Sequence, residues 1–215
     1  LCAAFESQPL EKHAVARFIA GDRSFVRACR FRRIEVLAPR WNLPLLRTPG
    51  ELAAWLRLSG RELEWFADVR AMEAKTTLQR LKHYHYRPLT KRFGSVRLIE
   101  APKPWLKELQ RQLLIEILEP IPLHDAAHGF RSDHSIQSFA APHVGQQVVL
   151  KIDLQDFFPS IIDARVTALF RSIGYTASVA QLLTGLCTNT TPSDVFAELP
   201  AISIEQHHRL HALYA

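Results

Sequence analysis

The segment TPGELAAWLRLSGRELEWFADVR, residues 48–70, spaces its apolar side chains as helices do, with Leu52, Trp55 and Leu56 followed by Leu63 and Phe66. Thr48 stands at an N-cap, Pro49 at the first helical position and Glu51 at the third, the arrangement of a capping box. Gly60 divides two short helices, and residues 10–82 read as mostly helical. From Tyr84 the pattern changes. HYHYRPLTKRFGSVRLIEAPKP alternates aromatic and branched residues around KRFG, which predicts a β-hairpin with its tip near Gly94 and Ser95. WLKELQRQLLIEILEP returns to helical spacing, with Leu106, Leu109, Leu113 and Ile117 on one face, Lys107 and Arg111 on another, and Pro120 as terminator.

A loop, HDAAHGFRSDHSIQSFAAPHVG, leads into VVLKIDLQDFFPSI at 148–161. Val148, Val149, Leu150 and Ile152 predict a buried strand, broken by Asp153 and Asp156. DARVTALFRSIG predicts a helix capped by Asp163 and stopped at Gly174, and SVAQLLTGLCTN predicts another. No internal repeat or low-complexity tract interrupts the chain.

With 215 residues and 47% apolar content, the chain can form one large domain, or a small domain joined to part of a larger one. Its net charge is +6. Between Arg70 and Arg111 eleven Lys or Arg face three acids, Glu73, Glu100 and Glu108, so the basic surplus concentrates in the hairpin and the helix after it. A charge run of this kind is commonly a solvated face. Its interleaving with Tyr84, Tyr86, Phe93 and Trp105 favours a nucleic-acid strand, since cations meet phosphates and rings stack on bases.

Cys2, Cys29 and Cys187 are too scattered for a disulfide framework or a zinc site, which fits a reducing compartment. No run of 18 apolar residues and no signal-peptide pattern occurs, so a soluble cytoplasmic protein is expected, with no membrane partner. The chain begins with Leu1 and stops on HALYA, and both ends read as boundaries of a fragment. The histidine groupings His83/His85, His124/His128 and His207/His208 lack the partners of a ligand set and read as surface or loop histidines. Asp153 has two readings: a ligand for a hard divalent ion at a strand end, or, like Asp156, a cap for the turn that follows.

Four stretches together resemble bacterial reverse transcriptases of the retron type, and more distantly group II intron enzymes. These are RLIEAPKPWLKELQRQLLIEIL, AHGFRSDHSI, VVLKIDLQDFFPSI and LTGLCTN, in family order from about Tyr84 to Asn189. ELAAWLRLSGRELEWFAD resembles the helical segment that precedes the fingers. The resemblance implies an α+β chain: a helical N-terminal region over 1–83, fingers over 84–145, and the first part of the palm of a right-hand polymerase over 146–215.

By the same resemblance, Asp153 matches the first catalytic aspartate, a ligand of both Mg2+ ions, and the Leu154 carbonyl completes one ion's shell. Two such ions activate a primer hydroxyl and stabilise the leaving pyrophosphate. Asp156 falls near the incoming nucleotide. Phe158 matches the aromatic that stacks under the sugar and excludes a 2′-hydroxyl. Arg97 matches an arginine that reaches the triphosphate, with Lys91 and Arg92 as a second phosphate contact. Lys103, Lys107 and Arg111 would lie along the template, and Gly129, Phe130, Arg131 and Ser135 match a loop that guides it.

The family's Tyr-x-Asp-Asp hairpin and the Leu-Pro-Gln-Gly stretch before it do not occur among the 215 residues. These residues alone are therefore expected not to polymerise. The expectation is a retron-type RNA-directed DNA polymerase that uses Mg2+ and deoxynucleoside triphosphates to copy a noncoding RNA into DNA. A role in phage defence and an accessory effector protein are implied by the family alone. The alternatives are a degenerate, non-catalytic RNA-binding derivative and a group II intron or CRISPR-associated reverse transcriptase.

Overall fold

A computed structural model describes residues 41–90, 96–154 and 157–197. The tip of the predicted hairpin, with Lys91, Arg92, Phe93, Gly94 and Ser95, lies outside the described residues, as do Asp156, Cys2, Cys29, His207, His208 and the predicted helical stretch before residue 41.

Two capping boxes start the helical part. In α1 (Pro49–Trp55) the Thr48 hydroxyl accepts from the Glu51 N–H at 3.2 Å while the Glu51 carboxylate accepts from the Thr48 N–H. Ser59 and Glu62 repeat the exchange at α2 (Gly60–Ala67), so Gly60 opens the second helix and Ser59 is its cap. Each box satisfies two N–H groups that a helix start otherwise leaves open. Asp68, in left-handed conformation, ends α2, and its carboxylate then accepts from the N–H groups of Met72 and Glu73. The rest of 41–82 is irregular apart from two single 3-10 turns, Glu73–Lys75 and Gln79–Leu81, so this part is less helical than predicted.

The hairpin forms as predicted. Strand β1 (Tyr84–Thr90) pairs antiparallel with β2 (Val96–Pro102) in the register Tyr84↔Pro102 to Thr90↔Val96. Helix α3 (Pro104–Leu113) follows at once, continues into a π turn (Leu114–Leu118), and buries Leu106, Leu109, Leu113 and Ile117, the four residues whose spacing predicted it. Short α4 (Ile136–Ala140) lies in the loop region.

Helix α6 (Ala177–Cys187) is the centre of the core, with Val179, Ala180, Leu183 and Leu186 fully enclosed; it packs on α5 (Asp163–Ile173), α2, α1 and α3. Gly185 permits the approach of α2, because a Cβ there would collide with the Ala67 carbonyl oxygen. Short α7 (Ser193–Ala197) follows α6, and Val195 and Phe196 pack with Leu98 against the hairpin. Among the described residues the architecture is α+β, helices packed around α6 with a two-stranded sheet beside them.

Two expectations need correction. No strand forms at 148–152 among the described residues: Val148 is 85% exposed and Leu150 75%. An isolated strand leaves its backbone groups unpaired, and the described strands β1 and β2 pair only with each other. Asp163 is also not the cap of α5. Ile162 holds that position without a side-chain bond, and Asp163 is the first helical residue, accepting from the Ala164 N–H; Gly174, at φ 117°, ends the helix as predicted. Among the described residues, no helix is long and apolar enough to cross a membrane.

Candidate active-site cleft

A cleft of about 1830 Å³ opens between the end of α2, strand β2, the segments 152–154 and 157–163 and the facing sides of α5 and α6. Arg97, Asp153, Leu154 and Phe158 all line it. These residues come from two motifs far apart in sequence. Arg97 reaches the cleft because β2 is held by its register with β1, Arg97 opposite Leu89. Asp153 and Leu154 lie on exposed, irregular chain. Phe158 sits in a turn that is closed by the Ile161 N–H donating to the Phe158 carbonyl at 3.0 Å. Its ring meets Phe157 edge-on at 5.4 Å between centroids and Phe130 at 5.8 Å. Phe130 has φ 57°, a left-handed conformation that costs a bulky residue about 1 kcal/mol or more.

The Asp153 carboxylate and the Leu154 carbonyl are oxygen donors of the kind Mg2+ takes. They are too few to hold the ion: among the described residues no three His, Cys, Asp or Glu side chains converge on a point. The fit is therefore partial, in donor chemistry and not in donor number.

Beside β2 lies a polar network that the local sequence pattern does not reveal, and three of its residues, Glu73, Glu100 and Asn189, line the cleft as well. The Tyr86 hydroxyl donates to Glu73 Oε1 at 3.1 Å, and Asn189 Nδ2 donates to Glu100 Oε1 at 3.0 Å and to the Tyr86 hydroxyl at 3.2 Å. Thr191 adds a short bond to the same Glu100 oxygen. Burial pushes the Glu100 carboxyl above its usual range, the Thr191 and Asn189 bonds oppose that rise, and nearby Glu73 reinforces it. Burial likewise raises the hydroxyls of Tyr84, to about 12, and of Tyr86. His83 is buried, contrary to expectation, with Nε2 2.7 Å from the Trp65 carbonyl and 4.0 Å from Glu73. Lys82 is buried too, its ammonium 2.6 Å from Asp194 and 5.9 Å from the centre of the Tyr86 ring.

The basic surface is therefore smaller than the charge run predicts. Lys82 faces inward, as do Tyr84 and, in part, Tyr86. Lys103 donates to the carbonyls of Gln79 at 2.6 Å and Arg80 at 3.4 Å, which ties down the segment before the hairpin. Lys107 and Arg111 are exposed on α3. Arg111 borders a separate groove of about 650 Å³ with Trp105, which is 64% exposed. Arg131 donates to the carbonyls of Ala127 and His124, and Ser135 exchanges capping bonds with Ser138 at the start of α4. Both thus shape their loop. His124 and His128 bond to the Ala126 N–H and to Ser138, respectively.

No family model matches the chain. It is similar to the Retron Mx65 reverse transcriptase of Myxococcus xanthus, 42% identical over 164 residues that make up 76% of this chain and 37% of that protein. The Retron Mx162 reverse transcriptase of the same organism is 43% identical over 64% of this chain and 27% of its own length. The Retron Ec86 reverse transcriptase of Escherichia coli is 38% identical over 43% and 29%, respectively. The chain thus matches between 27% and 37% of the length of these curated relatives. By sequence, this chain belongs to the family of retron reverse transcriptases.

Proposed function

We propose that the chain is the N-terminal, fingers and early-palm part of an RNA-directed DNA polymerase, with residues 1–83, 84–145 and 146–215 in those three roles. The complete protein would use Mg2+ and deoxynucleoside triphosphates to copy a structured noncoding RNA into DNA. The observation that carries this reading is that Arg97, Asp153 and Phe158, drawn from separate motifs, line one cleft. Its volume, about 1830 Å³, exceeds the roughly 300 to 1,000 Å³ of ordinary small-ligand pockets and suits a nucleotide together with a nucleic-acid end.

Each residue suits its part. The Arg97 guanidinium presents a planar fork of donors to phosphate oxygens. The Phe158 ring offers an apolar face to a deoxyribose and no hydrogen-bond partner for a 2′-hydroxyl. Asp153 and the Leu154 carbonyl would be the first donors to Mg2+, with the remaining donors coming from beyond the described residues. Lys91, Arg92 and Asp156 complete the proposed nucleotide contacts. Lys103, Lys107, Arg111, Arg131 and Ser135 are proposed along the template. The noncoding RNA, the accessory effector and the role in phage defence rest on the family resemblance, and the cytoplasmic setting on the scattered cysteines and the lack of a signal-peptide pattern.

Primer extension by the complete polymerase on an RNA template, with deoxynucleoside triphosphates and Mg2+, tests this reading. It predicts a product that survives ribonuclease and is lost to deoxyribonuclease. RNA binding without extension would instead support a non-catalytic RNA-binding derivative. That second reading is favoured by the exposed Trp105 beside Arg111.

A further inference from the structure

We infer that Phe130 is a positioning residue for Phe158, and that through it Phe130 sets how strictly the cleft selects the sugar of the incoming nucleotide. The inference rests on the reading of the cleft given above. Phe130 is 94% exposed and in left-handed conformation, so neither burial nor backbone preference accounts for its placement. What its ring does is meet the Phe158 ring edge-on, with centroids 5.8 Å apart and planes at 81°. Phe158 lines the cleft and Phe130 does not, so Phe130 stands behind the ring that would meet the sugar.

The surroundings of Phe158 give this contact weight. The chain leading to it, 148–154, pairs with neither strand of the hairpin. The Phe158 ring, 64% exposed, meets two aromatic neighbours edge-on, Phe157 at 5.4 Å on its own turn and Phe130 from a distant loop. That loop has a fixed shape, since the Arg131 guanidinium donates to the Ala127 carbonyl at 3.1 Å and Ser135 caps α4. An edge-to-face pair fixes tilt as well as position. Steric rejection of one hydroxyl depends on ring placement to within about half an ångström, so a Phe158 ring free to tilt would admit ribonucleotides.

The test is the ratio of kcat/KM for a deoxynucleotide to that for its ribonucleotide, measured on the complete polymerase. Phe158→Ala should collapse the ratio. Phe130→Ala should lower it at least tenfold, Phe130→Tyr should restore it, and the double variant should discriminate no worse than Phe158→Ala alone. Melting temperature should be unchanged in the Phe130 variants, because the residue is exposed. A normal ratio in Phe130→Ala beside a collapsed one in Phe158→Ala overturns the inference and leaves the cleft reading standing. An equal loss for both nucleotides in Phe130→Ala also overturns it, as a merely structural effect. A normal ratio in Phe158→Ala removes the reading itself, and the inference with it.

Discussion

The Lys82 ammonium lies 2.6 Å from the Asp194 carboxylate, joining the segment that leads into the hairpin to α7 across 112 positions of sequence. The two ends of this pair are unequal: the Lys82 side chain is fully enclosed, while Asp194 is 36% exposed. Asp194→Ala strands a buried cation and should cost about 3 kcal/mol. Lys82→Met leaves a carboxylate that water can reach and should cost less, about 1 kcal/mol. Urea unfolding of the two variants measures this, and equal losses would contradict the asymmetry.

Glu100 gives stability a pH dependence of definite sign. Burial raises its folded-state pKa above the unfolded value, so the folded state holds the proton more tightly. Its contribution to stability is therefore lost as pH rises from the ordinary carboxylate value of 4.5 through the raised one. Glu100→Gln should flatten the curve of unfolding free energy against pH in that window. Thr191→Val removes a bond that lowers the pKa, and should extend the window upward. An unchanged curve in Glu100→Gln would show that the carboxyl titrates normally.

Gly185 tests the packing of α6 on α2. A Cβ at this position would collide with the Ala67 carbonyl oxygen, which is backbone and cannot swing aside. Gly185→Ala should destabilise the fold by about 3 kcal/mol, the upper end for overpacking, despite the better helix propensity of alanine. Gly60→Ala, with nothing near its Cβ, is the matched control and should be neutral or slightly stabilising. A thermal melt in which both variants behave alike would refute the close contact.

The basic residues separate by what they already hold. Lys107 and Arg111 are exposed on α3, so each alanine variant should lower the salt slope of single-stranded RNA binding by about 0.7. Lys103 is bonded to two backbone carbonyls. Lys103→Ala should therefore reduce stability more than it changes the slope. Equal slope changes for all three would mean that Lys103 leaves its carbonyls on binding RNA.

Local pattern was enough for the parts whose contacts are local. The capping box at Thr48, the spacing along α3 and the Gly174 stop depend on residues within a few positions of one another, and the hairpin pairs neighbouring segments, from Thr90↔Val96 out to Tyr84↔Pro102. The spacing of Val148 to Ile152 suggested a strand, but a strand needs pairing partners that an apolar run cannot announce. The inward turn of Lys82 and the bonds at Glu100 were hidden for a related reason. Their partners, Asp194 and Asn189, lie 112 and 89 residues away, so a charged residue that reads as surface becomes interior only when the chain folds back. The site residues were legible mainly through family resemblance; that Arg97, Asp153 and Phe158 share a cleft needed the fold.

In the proposed reading, this shared cleft is where nucleotidyl transfer occurs. The most direct measurement is single-turnover primer extension by Asp153→Ala in the complete polymerase, paired with RNA affinity at the same salt concentration. Synthesis should be abolished while RNA affinity stays within a few fold of the parent. Full synthesis by Asp153→Ala would contradict that reading, and loss of RNA binding together with synthesis would assign Asp153 to RNA binding instead of the chemistry.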